Sequence, residues 1–111
     1  MTSTSRVRPL QADDRARWDE LWAGYLQFYQ QTLPQSTTDL TWRRLMEGRE
    51  LWGFAGLDDG GRMVGFVHYH FHLSTWSPVG YCYLEDLFVD PQGRGRHVGR
   101  SLIEAVYKAA D

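Results

Sequence analysis

The sequence predicts an α/β domain built in the order β-α-α-β-β-β-α, and three observations carry that prediction. Apolar residues recur at three and four positions in two stretches, the spacing of one buried helix face: Trp18, Leu21, Trp22, Tyr25, Phe28 and Tyr29, then Leu102, Ile103, Val106, Tyr107 and Ala110. Alternation marks Tyr81 to Val89 as a strand. Asp58-Asp59-Gly60-Gly61 between two β-rich runs marks a hairpin.

Taken in order, Met1 to Ser5 is polar and unpatterned, and Arg6 to Leu10 reads as a short first strand. Asp13 or Asp14 is placed to cap the first helix, which should stop near Thr32 and Pro34. A second helix is expected from a cap at Thr38 to Glu47, with Leu40, Trp42, Leu45 and Met46 as its apolar members and Gly48 as its end. Leu51 to Leu57 and Arg62 to Leu73 form the arms of the hairpin, and Ser74 to Gly80 is a loop. In the strand that follows, Tyr81, Tyr83, Glu85, Leu87 and Val89 should share one face, with Cys82, Leu84 and Phe88 on the other, and Pro91 stops it. The last helix follows Gly99.

The chain of 111 residues is read as a single domain, residues 1–111, with no repeat, linker or low-complexity segment. Five Trp, six Tyr and five Phe favour a packed core. A single cysteine, Cys82, excludes an internal disulfide framework, and neither a signal segment nor a long apolar run is seen, so a soluble, cytoplasmic protein without a membrane partner is expected. A net charge of −2 argues against general nucleic-acid binding.

The turn from Gln92 to Gly99 carries the chemistry. The first N–H groups of a helix have no partner within the helix and concentrate partial positive charge, so a phosphate placed there meets donors already aimed at it. Gly95 and Gly99 leave the backbone bare, and Arg94, Arg96 and Arg100 add cationic arms. Gly93, Gly95 and Gly99 are spaced one residue too widely for a dinucleotide fingerprint, and no acidic residue follows at the distance that would hold a ribose. A Walker A loop would need glycine at 94 and lysine at 100, and both are arginine.

Strand, turn and helix together, YLEDLFVDPQGRGRHVGRSLIEAVY, resemble motif A of the GNAT superfamily of N-acetyltransferases, with Arg94-Gly95-Arg96-His97-Val98-Gly99 as the pyrophosphate turn. His97 stands where the family usually has glycine, and histidine accepts positive φ better than most residues. The resemblance implies a GNAT-like mixed sheet. It also implies acetyl-CoA as co-substrate, its pyrophosphate on Arg94, Gly95, Arg96, His97, Val98, Gly99 and Arg100, and its pantetheine arm on the backbone of Leu87, Phe88 and Val89. Family members continue into a fifth strand, a fourth helix that often carries a general-acid tyrosine, and a final hairpin. Ending at Asp111, the chain is expected to lack that C-terminal part, which would leave the motif strand with an open edge and favours a homo-oligomer, a dimer.

By the same resemblance, a carboxylate on the motif strand relieves the acceptor amine of its proton, so Glu85 and Asp86 are the candidate catalytic residues. Glu85 is expected among apolar neighbours, where desolvation would make it a better base; the alternative is that both carboxylates pair with a nearby arginine. The LED triplet is similar to that of spermidine/spermine acetyltransferases, and the implied acceptor is a small primary amine, such as a polyamine or an amino acid. A non-catalytic CoA-binding or subunit-pairing module is the rival. His68, His70 and His72 alternate along one strand face, as metal ligands or as a polar stripe facing substrate; no carboxylate or cysteine at ligand spacing supports a metal, and none is assigned. Cys82 reads as a small core residue rather than a nucleophile. Tyr25, Phe28, Tyr29 and Trp76 either wall an acceptor cleft or belong to the core.

Overall fold

The computed structural model describes residues 6–78, 80–93 and 97–110, in the predicted order. Strand β1 (Arg6–Pro9) leads through one 3-10 turn (Ala12–Asp14) into helix α1 (Arg15–Phe28), then α2 (Gln35–Glu47), β2 (Trp52–Leu57), β3 (Met63–His72), β4 (Tyr81–Val89), a second 3-10 turn (Pro91–Gly93) and α3 (Val98–Ala110). The strands form one antiparallel sheet in sequence order, with β1 and β4 at its edges. No helix among the described residues is long and apolar enough to cross a membrane.

The sheet has a core on each face. One packs Trp18, Leu21 and Trp22 of α1 and Trp42 and Leu45 of α2 on Ala55 and Phe66; the other packs Val98, Leu102 and Val106 of α3 on Val67 and Tyr69. The apolar stripes legible in α1 and α3 are therefore what cover the sheet, with Phe28, Tyr29 and Tyr107 at their solvent ends.

Three helix starts differ from expectation, the last being α3, which begins at Val98 and so takes Gly99 into its first turn. Helix α2 begins three residues before Thr38, directly after Pro34, whose extended backbone (φ −59°, ψ 147°) delivers the chain into its first turn. Thr38 lies inside the helix, buried, and its hydroxyl accepts the Trp22 indole N–H at 3.2 Å. Asp14 does stand at the N-cap of α1, but its carboxylate makes no cap bond there; it takes both Arg8 guanidinium nitrogens at 2.8 and 2.9 Å and the Gln11 backbone N–H. Gly48 ends α2 as expected, in the left-handed conformation at φ 62°.

Helix α3 sits close to the sheet because Gly56 makes room. A Cβ there would lie 2.6 Å from Val98 Cγ1 and 3.1 Å from Leu102 Cδ1. We expect Gly56→Val to lower unfolding stability in urea by about 1–3 kcal/mol, since a well-packed core can take the added methyls only by moving the helix.

Candidate active site

The strand carrying the predicted carboxylates does not keep a simple alternation. Pairing across β3 runs His68 to Asp86 and then Tyr69 to Leu84, which leaves Glu85 as an extra residue, a β-bulge. The bulge reverses the phase of β4 at that point, so the expected faces are corrected beyond it. Asp86 and Phe88 lie on the α1 side, where Phe88 meets Tyr25 and Phe66, while Leu87 and Val89 pack with Cys82 and Leu84 against the α3 core. Glu85 also turns toward the α1 side, reaching His70, a neighbour of Phe66 and His68 on that face of β3. Alternation would have parted the two carboxylates; the bulge gathers them.

Their surroundings are different. Asp86 Oδ1 accepts the Tyr25 hydroxyl at 2.6 Å and Oδ2 accepts His68 Nδ1–H at 2.9 Å; its side chain is 14% exposed. His68 is wholly buried, and its Nε2 receives the indole N–H of buried Trp18 at 3.1 Å. An indole nitrogen can only donate, so it fixes Nε2 as acceptor and places the single imidazole hydrogen on Nδ1, facing Asp86. Burial pushes the Asp86 carboxyl upward, but the hydrogen bonds from His68 and Tyr25 outweigh it and hold the group below the usual carboxylate range. Burial, with the same bond to Asp86, drives the Tyr25 phenol well up, so it remains a donor.

Glu85 stands in water. Its side chain is 48% exposed and Oε1 lies 3.0 Å from His70 Nε2, so the desolvation expected for it is absent: the bulge lifts it off the apolar face of the strand. Among the described residues neither carboxylate pairs with arginine; both take histidine partners. The histidine stripe on β3 thus divides, His68 into the core, His70 to Glu85, and His72 to the Leu73 carbonyl at 3.2 Å.

Glu85, Asp86 and His70 open onto a cleft of about 410 Å³ between the sheet, α1 and α2, walled also by Trp22, Tyr25, Leu33 and Arg44. Of the aromatic residues considered for such a wall, Tyr25 lines it, while Phe28, Tyr29 and Trp76 are exposed elsewhere. Cys82 lies half-buried against the α3 core, and burial pushes its thiol upward, away from nucleophilic use.

Beyond Val89 the chain is aimed by Asp90, whose N–H reaches the Val64 carbonyl at 2.7 Å and whose carboxylate takes Gln92 N–H and Arg17 at 3.0 Å each. Arg94, Gly95 and Arg96 fall outside the described residues. His97 adopts φ 61°, the left-handed conformation open to the glycine it replaces, and its carbonyl accepts the Ser101 N–H at 3.0 Å. Val98 is buried beneath the first turn of α3, and Arg100 is exposed.

Residues 16–111 match the acetyltransferase (GNAT) family. The chain belongs to the GNAT family. It is 35% identical over 107 residues to the D-amino-acid N-acetyltransferase HPA3 of Saccharomyces cerevisiae, covering 95% of this chain and 66% of the yeast protein. It is 40% identical over 55 residues to the thialysine N-epsilon-acetyltransferase of Sus scrofa, covering 50% of this chain and 32% of that enzyme. This GNAT chain therefore spans less than two thirds of the length of these relatives. Its fold is shared with AAC(6')-Iy, solved with the bisubstrate analogue CoA-S-monomethyl-acetylneamine, at a TM-score of 0.77 and 21% identity over 96% of this chain and 71% of that one. The expected sheet and helix order is that of the family.

Trp18 and Arg44 were not singled out from the sequence as site residues, and His68 was read only within a histidine stripe facing a metal or substrate. The histidine alternation was visible, but the indole that fixes His68 comes from α1, fifty positions earlier.

Proposed function

We propose that the protein transfers the acetyl group of acetyl-CoA to the primary amine of a small cationic molecule, through Glu85 and Asp86. The observation that carries this proposal is the bulge that turns both carboxylates of a GNAT motif strand into one cleft. A protonated amine is drawn to two anions, and only after losing a proton does its lone pair attack the thioester carbonyl, form the C–N bond and expel the CoA thiolate.

In this proposal the coenzyme lies beside β4, its pantetheine along the backbone of Leu87, Phe88 and Val89 and its pyrophosphate on Arg94 to Gly99 with Arg100. Support comes from His97 and Gly99: the first has the backbone of a glycine, and among the described residues a Cβ at the second would meet Val89 Cγ2 at 3.7 Å, an ordinary contact, so packing against these residues does not demand glycine there. A bound anion would.

The acceptor is a polyamine or an amino acid, and Arg44 on the cleft wall favours the amino acid, since a guanidinium opposite two carboxylates suits a molecule carrying both charges. The D-amino acid and the thialysine named for two relatives point the same way.

Thermal unfolding of the full-length protein, with and without acetyl-CoA, tests the coenzyme half. At a hundredfold excess over Kd the ligand should add about 2.7 kcal/mol, with ADP as the control. Thiol release across polyamines and D- and L-amino acids tests the rest. Stabilisation by acetyl-CoA with flat rates for every amine would favour the CoA-binding module instead. Sedimentation of residues 1–111, in which β4 is an edge strand, tests the proposed dimer.

A further inference from the structure

We propose that Arg17 of α1 is a positioning residue for the coenzyme. Acting through Asp90, it fixes the point where the chain leaves β4, along which the pantetheine arm is placed, for the turn placed under the pyrophosphate. The inference rests on the acetyl-CoA function proposed above and adds to that site a residue 73 positions before Asp90.

One guanidinium ties three segments together. Its Nε–H donates to the Met63 carbonyl at the start of β3 at 2.8 Å, one terminal nitrogen donates to Asp90 Oδ2 just past β4 at 3.0 Å, and the other to Glu20 Oε1 one turn along α1 at 2.9 Å. The Arg17 and Asp90 side chains are each 22% exposed, so protein screens the pair from most of the solvent. Asp90 divides its carboxylate between Arg17 and the chain ahead. Its Oδ1 accepts the Gln92 N–H at 3.0 Å, an Asx turn that sets the direction of Pro91–Gly93, while its backbone N–H is held by the Val64 carbonyl at 2.7 Å. The Arg17 contact brings α1 into that clamp.

An ion pair at this depth adds little to folding by itself, but its place gives it leverage on a ligand. Asp90 stands between the two halves of the proposed coenzyme site, so a tilt there moves one half against the other, and a single ligand must fit both. Charge points the same way. Arg17, Asp58, Asp59, Arg62, Asp90 and Gln92 line a pocket of about 200 Å³ at this end of the sheet, and among these walls three carboxylates face two guanidinium groups. Arg17 neutralises the carboxylate that adjoins the turn; without it, that anion would stand against the diphosphate. Arginine suits the task because its planar fork reaches the carbonyl and the carboxylate at once, whereas lysine would keep the charge without that geometry.

Calorimetric titration of the full-length protein with acetyl-CoA tests this, joined to steady-state kinetics with the amine that the wild type acetylates fastest. Arg17→Met should raise the Kd for acetyl-CoA by about tenfold, and Arg17→Lys by about threefold. At saturating acetyl-CoA, kcat and the KM for the amine should move by no more than about twofold, because the acceptor cleft is untouched. Asp90→Asn keeps an oxygen for the Gln92 N–H but offers Arg17 no charge, so on that background Arg17→Met should change Kd by less than about threefold. If Arg17→Met folds poorly, Arg17→Lys carries the test alone. An unchanged Kd in the Arg17 variants, a tenfold step that persists on the Asp90→Asn background, or a fall in kcat at saturating coenzyme as large as the loss in Kd overturns the inference and leaves acetyl transfer standing. A wild type that binds no acetyl-CoA overturns both.

Discussion

Replacing Trp18 with alanine is expected to take about 3–5 kcal/mol from the stability of the folded chain, the usual cost of deleting a fully buried tryptophan. Trp18 is wholly inaccessible and lies stacked on Trp22 at 5.4 Å and tilted against Trp42 at 5.0 Å, so it joins α1 to α2 and both to the sheet. Domains of this size are stable by only about 5–15 kcal/mol, so the variant stands near the edge of folding at room temperature. Two effects combine in that loss, and Trp18→Phe separates them. Phenylalanine fills most of the space but has no N–H, which leaves His68 Nε2 buried without its donor, at an expected cost of about 1–3 kcal/mol. Urea unfolding of the wild type and the two variants checks the order. Equal stability of Trp18→Phe and wild type would mean that the indole hydrogen bond contributes nothing, and that Trp18 acts through packing alone.

The elements were legible because each rests on local pattern. The stripe from Trp18 to Tyr25 and the one from Leu102 to Val106 are what α1 and α3 bury, and Asp58 to Gly61 does turn the hairpin, with the Gly61 N–H on the Asp58 carbonyl at 3.0 Å. What the sequence concealed depends on pairing between distant segments. The bulge at Glu85 is a property of β4 against β3; within β4 alone the alternation through Leu87 and Val89 looks uninterrupted. Thr38 looks like a cap until the indole of Trp22 arrives from the neighbouring helix to claim its hydroxyl. Positive φ at His97 was within reach of the sequence because the demand is local to one residue in one turn.

The same contrast separates the two carboxylates. From the sequence they are adjacent, chemically similar residues, and the expected choice of Glu85 as the desolvated one leaned on neighbours that the bulge removes. Burial falls instead on Asp86, which compensates with two donors, and water falls on Glu85.

The second large effect is expected at the inner end of the hydrogen-bond chain that holds Asp86. His68→Leu keeps about the same volume but removes the donor to Asp86 Oδ2 and the acceptor for Trp18 together, leaving a mostly buried carboxylate with only Tyr25. Breaking a buried ion-hydrogen-bond chain on one side costs about 3 kcal/mol near neutral pH, somewhat less than for a fully enclosed pair because Asp86 keeps a little contact with water. The pH dependence distinguishes this account from a packing defect. In the wild type the folded Asp86 carboxyl titrates below its unfolded value of about 3.9, so the stability it contributes is fully present above that value and is lost as pH falls through the lower, folded one. In the variant the burial remains while the His68 bond is gone, so the group no longer titrates so low and the acid loss from this residue shrinks or reverses. The stability gap between wild type and His68→Leu should therefore be widest above about pH 5 and narrow as the solution is acidified. A gap that stays constant down to acid pH would show that His68 contributes only its shape. His68→Asn, whose amide N–H₂ can stand in for Nδ1–H, should restore the acid dependence even though Trp18 remains without its acceptor.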